Sequence, residues 1–311
     1  MTNPTDVFLT GATGFAGPAV LAALRESGRS VTALVRRDVD LDGARTVKGT
    51  LSGFPNLERE VATAGAVVHL ASSRSQDRAT VMGEDVYGTA RLLDGWQQGP
   101  FVHASSVTIH GVPRQTPLVE GSPIDIIDWY DMGKLLDEFQ VRNARANEAR
   151  NRGPGISLRP TIFIGHNERR NYRQILGMLY QCYAEELTFV FESEEALQTT
   201  GVSYVGVEDF GRAVVASLGM TDGGAFEVAA GFATWRELID LVVRFSGPQA
   251  KVEVRAGVRD QREYEPERRE VRLPHSRTEQ DASAFMKASG WRPRQRIEEL
   301  VERYVHVERA T

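Results

Sequence analysis

Val7-Phe8-Leu9-Thr10-Gly11-Ala12-Thr13-Gly14-Phe15-Ala16-Gly17 begins as a short apolar run and ends in a glycine-rich turn. Val20, Leu21 and Leu24 then recur at helical spacing until Gly28, so the stretch reads strand, turn, helix. In that setting each glycine has a task. Gly11 permits the sharp turn, Gly14 leaves room for a ligand beside the backbone, and Gly17 lets the helix pack close to the strand. The helix that follows offers free N–H groups and the positive end of its dipole, an anion site suited to the pyrophosphate of a dinucleotide. A glycine-rich turn alone is also simply a flexible turn; its position between strand and helix carries the reading.

The same rhythm continues outward. Val31–Val35, Ala66–Leu70, Phe101–Ala104 and Ile156–Leu158 are further short apolar runs, with helical patterns around Asp85–Trp96 and Tyr130–Ala149. Strands alternating with helices predict parallel units with right-handed crossovers, hence an α/β fold with a doubly wound parallel sheet of the Rossmann type. After about residue 160 the rhythm loosens. Helices are expected at Tyr172–Tyr183 and Glu208–Leu218. Thr234 with Glu237 reads as a capping box opening a helix that buries Leu238, Ile239, Leu241 and Val242. Ile297, Leu300, Val301, Tyr304 and Val305 form one apolar stripe. The charge-rich stretch 259–272 reads as a surface loop. Residues 1–160, joined by returning segments near 202–230, are expected to form the dinucleotide-binding domain. Residues 161–311 are expected to form mostly a smaller C-terminal α/β lid that binds substrate.

The chain has 311 residues, 41% hydrophobic and 25% charged, enough to bury a sizeable core. A formal net charge of -5 argues against nucleic-acid or anionic-membrane partners, which want clustered Lys and Arg. Cys182 is the single cysteine, and without a Cys/His cluster no metal site is expected. Residues 7–24 are apolar enough to suggest a signal peptide, but no Lys or Arg precedes them, and Gly11, Gly14, Gly17 and Pro18 interrupt any hydrophobic helix. No run approaches a membrane span of about 18 apolar residues, so a cytoplasmic location is expected.

Two further features bear on chemistry. The second strand ends Leu34-Val35-Arg36-Arg37, with the first acid delayed to Asp38. An acid at that place binds a ribose 2′-hydroxyl, whereas Arg36 suits a 2′-phosphate, so the expected cofactor is NADP, with NAD as the alternative. Tyr130 and Lys134 share one helix face. A nearby ammonium favours a phenolate, which lets Tyr130 give or take a proton, and Lys134 also suits nicotinamide ribose hydroxyls. Ser106 follows a strand end and is placed to hydrogen-bond an oxygen whose charge changes during hydride transfer.

With these residues in view, the chain resembles the extended short-chain dehydrogenase/reductase family over nearly its full length. TGATGFAG, VVHLAS, DVYGTARLLD, FVHASSVTIHG, YDMGK, LRPTIFIG, YVGVEDFGRAV and ASGWRP occur in the family's order. The resemblance implies that Ser106, Tyr130 and Lys134 are catalytic and that Gly11, Gly14, Phe15, Gly17, Leu70, Ala71 and Pro160 line the cofactor. It also implies a homodimer through helices near 85–97 and 130–150, where Leu92, Leu93, Leu135 and Phe139 serve the contact or the sheet. Asp85 stands where the family usually has Asn, Thr50 where an Asp commonly meets adenine, and Gly133 where Ser or Thr is frequent.

The family contains dehydratases, epimerases and reductases. Dehydratases need an Asp-Glu pair after the strand-end hydroxyl; Val107 and Thr108 stand there and cannot exchange that proton. Ile162 replaces an Asn common in 4-epimerases, and an arginine often found before the YVxVxD strand is missing. With Arg36, these departures lead to the expectation of an NADP-dependent reductase of a ketone on a sugar-type substrate, a nucleotide-activated 4-keto-deoxysugar. The alternatives are a nucleotide-sugar 4-epimerase holding NAD and a non-catalytic dinucleotide sensor, though sensors typically lose the Tyr or the Lys. Arg262, Arg268 and Arg269 are candidates for clamping a sugar diphosphate or are solvated. His110 is expected to pack at a strand end, and Trp129 to wall the pocket or join the core.

Overall fold

The computed structural model describes residues 3–144, 152–165, 175–184, 188–247, 251–255, 264–265, 270–273 and 276–310. Strands follow as β1 Asn3–Thr10, β2 Ser30–Val35, β3 Ala44–Lys48, β4 Ala64–His69, β5 Gly99–Ala104, β6 Arg152–Pro160, β7 Ile162–Ile164, β8 Thr188–Phe191, β9 Gly201–Gly206 and β10 Gly224–Val228. The chain then adds β11 Gly231–Thr234, β12 Lys251–Val254, β13 Tyr264–Glu265, β14 Glu270–Arg272 and β15 Arg277–Thr278. The central sheet has seven strands in the order β10-β6-β5-β4-β1-β2-β3, and every pairing in it is parallel. The doubly wound reading therefore holds, with the strand order reversing between β1 and β4.

Pleating divides β1 between two cores. Val7 and Leu9 pack with Val20, Leu21, Leu24, Phe210 and Val214 on one face, while Phe8 packs with Leu57, Leu92, Leu93, Trp96 and Phe101 on the other. Both faces are covered, which is why the strands read as continuous apolar runs rather than alternating ones. Helix Gly17–Glu26 ends as expected: Gly28 takes φ 79°, and Arg29 N–H returns to the Leu24 carbonyl at 3.1 Å.

The C-terminal half builds a third core from Leu176, Leu179, Phe189, Phe191, Trp235, Leu238, Ile239, Leu300 and Val301. Thr234 Oγ1 accepts from Glu237 N–H at 3.2 Å and caps helix Trp235–Ser246, where Leu238, Ile239 and Val242 are buried and Leu241 is half-buried. Helix Ile297–Ala310 buries the whole stripe read from sequence. One reading needs correcting. Within 259–272, Glu270–Arg272 runs parallel to β8 and pairs on its other side with Tyr264–Glu265, so part of the expected loop is sheet. Its charge-rich sequence has no apolar period to mark a strand, and the backbone pairing defines it. The edge strand β3 escaped notice likewise, its residues being mostly exposed. Among the described residues no helix is long and apolar enough to cross a membrane.

Candidate active site

The glycine turn rests on the end of β4. Gly11 adopts φ 76°, and a Cβ there would lie 2.7 Å from Ala71 N and 3.0 Å from Leu70 Cβ. Leu70 N–H donates to the Thr10 carbonyl at 3.2 Å, and Ala71 N–H to Thr10 Oγ1 at 3.2 Å, so Leu70 and Ala71 sit beside the turn. A Cβ on Gly17 would lie 2.3 Å from the carbonyls of Gly11 and Ala12, so only glycine lets the helix start so close. Gly14 N–H closes on the Gly11 carbonyl at 2.8 Å. The Phe15 ring lies 6.2 Å from Phe163, which meets Phe210 edge-on at 4.9 Å. Pro160 is buried at the end of β6. The turn and the crevice beside it thus fit a dinucleotide pyrophosphate, with backbone as the lining.

Arg36 is exposed at the end of β2, and Asp38 is paired with Lys48 Nζ at 2.6 Å. The loop around Thr50 is pinned from below. Arg91 donates to the Leu51 and Ser52 carbonyls at 2.8 and 3.0 Å and to the Phe54 carbonyl at 2.9 Å, and it grips Glu58 as well. Thr50 Oγ1 accepts from Gly53 N–H at 2.9 Å, so it shapes this turn. Asp85 lies in a π-helical stretch, Val81–Val86, and accepts both Ser73 N–H and Ser73 Oγ–H at 2.6 Å, which shapes the loop after β4. π-bulges of this kind recur at functional sites, and no periodicity reading detects them.

Helix Trp129–Ala144 carries Tyr130 and Lys134. Asp128 caps it, accepting Asp131 N–H at 2.8 Å, and its other oxygen takes Gln76 Nε2–H at 2.7 Å. Lys134 is buried and donates to the Ala104 carbonyl at 2.7 Å, which ties the helix to the end of β5 just before Ser106. Its ammonium stands 5.8 Å from the Tyr130 ring centroid, and the Arg74 guanidinium 5.9 Å. Arg74 takes φ 55°, an uncommon backbone state for a residue other than glycine. Ser106 is buried and caps the 3-10 turn Val107–His110; its Oγ lies 2.8 Å from Thr108 Oγ1. Thr108 in turn donates to Asp131 at 2.5 Å. Two short links, Lys134 to Ala104 and Ser106 through Thr108 to Asp131, therefore tie the helix that carries Tyr130 and Lys134 to the strand end that carries Ser106.

Beneath it lies a layer the sequence reading missed. His69 bridges Thr10 Oγ1 at 2.7 Å and Thr89 Oγ1 at 3.0 Å. Burial, then the charge of Lys134, pushes its pKa down to about 3, so the ring is neutral. His103 is held well below its ordinary value by the same causes. Asp137 is pushed up to about 7 by burial, against the pull of Lys134 and Thr89. Of the groups meeting here, Lys134 was legible from its spacing to Tyr130 in YDMGK. His69 and His103 sit at positions that read as strand interior, and nothing in their spacing marks a site.

The remaining residues fall as follows. His110 is buried and bonded to the Pro123 carbonyl at 2.8 Å and to Glu227 at 3.0 Å. Trp129 is 37% exposed, so it is no part of the core. Leu92 and Leu93 pack under the sheet, Leu135 is half-buried, and Phe139 is exposed. Gly133 faces Val81, whose Cγ1 a Cβ would meet at 2.7 Å. Ile162 opens β7 against the C-terminal core. Arg262, Arg268 and Arg269 lie outside the described residues. Among the described residues no cluster suits a metal.

Residues 7–229 match the NAD dependent epimerase/dehydratase family. No curated protein matches the chain. Among solved structures, MoeE5 in complex with UDP-glucuronic acid and NAD is similar with 19% identity over 98% of this chain and 100% of that one, at a TM-score of 0.75. The UDP-N-acetylglucosamine 4-epimerase of Bacillus cereus shares 18% identity over 98% and 97%, at 0.74. The UDP-Glc/GlcNAc 4-epimerase of Campylobacter jejuni shares 18% over 98% and 99%, at 0.77.

Proposed function

The chain belongs to the NAD dependent epimerase/dehydratase family, and from that premise we propose that it is a nucleotide-sugar 4-epimerase retaining NAD. The observation that carries the reading is the composition of the reacting corner. Ser106 and Thr108 form a pair of hydroxyls beside the Tyr130–Lys134 helix, and Val107 and Thr108 supply no acid for the elimination a dehydratase performs. Such groups serve interconversion of a hydroxyl and a ketone in both directions. Epimerisation needs both directions, and two of the solved structures of the same architecture named above are UDP-sugar 4-epimerases.

A dinucleotide bound at the glycine turn would supply reversible hydride transfer. Gly11, Gly14, Phe15, Gly17, Leu70, Ala71 and Pro160 would hold the dinucleotide. Tyr130 takes the hydroxyl proton as the ketone forms and gives it back in the reverse step. Lys134, fixed on the Ala104 carbonyl, keeps positive charge near the phenol. Ser106 hydrogen-bonds the reacting oxygen in each state. Met82, Tyr87 and Phe139 are exposed on the two helices where a homodimer contact is expected, and we infer that assembly as well.

A net reductase using NADPH is the second reading. It is favoured by Arg36, exposed at the end of β2 while the nearest acid, Asp38, is occupied by Lys48. Denaturing the purified protein and identifying the released nucleotide separates the two. Stoichiometric NAD, with interconversion of UDP-glucose and UDP-galactose in the absence of added cofactor, supports the epimerase. Release of NADP, or NADPH binding that beats NADH and weakens in Arg36→Ala, overturns it in favour of the reductase.

A further inference from the structure

Asp131 follows the expected catalytic tyrosine, yet its side chain has no role in the chemistry so far. It is 1% exposed. One oxygen, Oδ1, lies 2.5 Å from Thr108 Oγ1, and the other, Oδ2, has no hydrogen-bond partner among the described residues. Thr108 is exposed on its outer side and reaches Ser106 Oγ at 2.8 Å. A buried carboxyl is thus wired to the reacting serine through a single hydroxyl.

Each hydroxyl in the chain has one proton, so the chain has a direction. With Asp131 ionised, the Thr108 proton points at Asp131, and the Ser106 proton points at Thr108. Ser106 then meets the substrate with lone pairs only, which suits a sugar hydroxyl. With Asp131 protonated, Asp131 donates to Thr108 and Thr108 donates to Ser106. Ser106 then offers its proton outward, which suits a ketone or alkoxide. We propose that Asp131, acting through Thr108, is a positioning residue that sets whether Ser106 accepts a hydrogen bond from the substrate oxygen or donates one. The inference rests on the hydroxyl–ketone chemistry proposed above.

The surroundings keep both states within reach. Burial raises the Asp131 pKa above its ordinary value, the Thr108 hydrogen bond opposes that, and the negative charge of Asp128 on the same turn adds to the rise. From the 3-10 turn packed against it, the titratable residue is His110, which is turned to Glu227 and Pro123. Tyr130 and Lys134 lie on its own helix, with Lys134 bound to Ala104, and Arg74 of the loop after β4 stands over the Tyr130 ring. The two directions differ by one proton on Asp131, exchanged with solvent as pH changes, with the Ser106 and Thr108 hydroxyls turning in step. The proton of the substrate hydroxyl itself still passes to Tyr130.

The test has two arms. In the first, 13C-carboxyl NMR follows the titration of Asp131, assigned by its loss in Asp131→Asn, in wild type, Thr108→Ser and Thr108→Val. Val matches Thr in shape but removes the hydroxyl. The Asp131 midpoint is expected to rise by about one pH unit in Thr108→Val, from loss of one hydrogen bond to the charged form, and to stay in place in Thr108→Ser. In the second, NAD-loaded protein is mixed with UDP-glucose and the 340 nm absorbance of reduced cofactor is followed against pH. The wild-type profile is expected to carry a limb at the Asp131 midpoint. Asp131→Asn and Thr108→Val should lose that limb and slow the step about tenfold, while Thr108→Ser keeps both. An unmoved midpoint in Thr108→Val, or a limb that survives it, overturns the proposal. If wild type reduces no cofactor with UDP-glucose, the proposed reaction on that sugar fails, and the NMR arm still decides the wiring.

Discussion

At the residue scale, the corner around Tyr130 is built from groups with one plausible use each. Lys134 is buried, and its ammonium is spent on the Ala104 carbonyl, so its charge stands near Tyr130 rather than in solvent. Replacing Tyr130 by Phe keeps the ring and removes the exchangeable proton. Turnover should then fall by roughly 10²–10⁴-fold while nucleotide binding is retained, as read by single-turnover absorbance and by fluorescence titration. Equal activity in the Phe variant would make the tyrosine a bystander. Gly11 makes a second case. At φ 76°, with Ala71 N 2.7 Å from any Cβ, Gly11→Ala should cost on the order of 1–3 kcal/mol. It should also weaken nucleotide binding, because the strand end and the turn must separate. The YDMGK and TGATGFAG spacings made these residues legible; Asp131 lay in the same pentapeptide, but only its burial and its Thr108 contact mark it.

At the element scale, the start of helix Trp235–Ser246 was legible in the sequence because a capping box is local. Thr234 caps helix Trp235–Ser246 through Glu237 N–H. That helix packs in the C-terminal core around Trp235, Leu238 and Val301. Thr234→Ala should lower stability by about 1 kcal/mol in urea unfolding and leave turnover unchanged. A loss of activity at equal stability would mean that this helix reaches the site. The same locality explains the failures. The π-helical stretch Val81–Val86, which carries Asp85, arises where the helix meets the loop after β4 and has no period of its own in the sequence. The strand Glu270–Arg272 exists because β8 offers it a backbone edge.

At the scale of the molecule, one buried polar network joins five separate parts of the chain. Arg159 on β6 grips Glu138 of helix Trp129–Ala144 with two hydrogen bonds of 2.8 Å and reaches Glu227 on β10 at 3.1 Å. Glu227 also meets His110 and Gln280. Both ring nitrogens of His110 face oxygen acceptors, which calls for an imidazolium. Burial opposes that charge, but the Glu227 hydrogen bond and charge, with the Pro123 carbonyl, outweigh it and raise the His110 pKa. Burial likewise opposes ionisation of Glu227, yet His110, Gln280 and Arg159 lower its pKa. The signs then follow from linkage. The His110 contribution is complete below its ordinary value of 6.5 and fades as pH rises through the raised one. The Glu227 contribution is present above 4.5 and fades as pH falls through the lowered one. His110→Gln should therefore destabilise by roughly 1–3 kcal/mol near pH 6, with the difference from wild type shrinking in alkaline buffer. A difference that does not change with pH would remove the imidazolium from the account.

What the sequence determined by itself was whatever depends on near neighbours: apolar runs covered on both faces, helix caps, the glycine turn and the pairing of Tyr130 with Lys134 on one helix face. These follow from backbone sterics and periodicity, which a few consecutive residues fully express. The tertiary structure decided everything that rests on distant segments meeting. The link of Lys134 to Ala104, the wiring of Ser106 through Thr108 to Asp131, the neutral histidines under the site and the Arg159–Glu227 network all join residues that no spacing rule connects. Burial keeps His69 and His103 neutral, while the partners of His110 and Glu227 overcome it, and both burial and partners are properties of the packed whole.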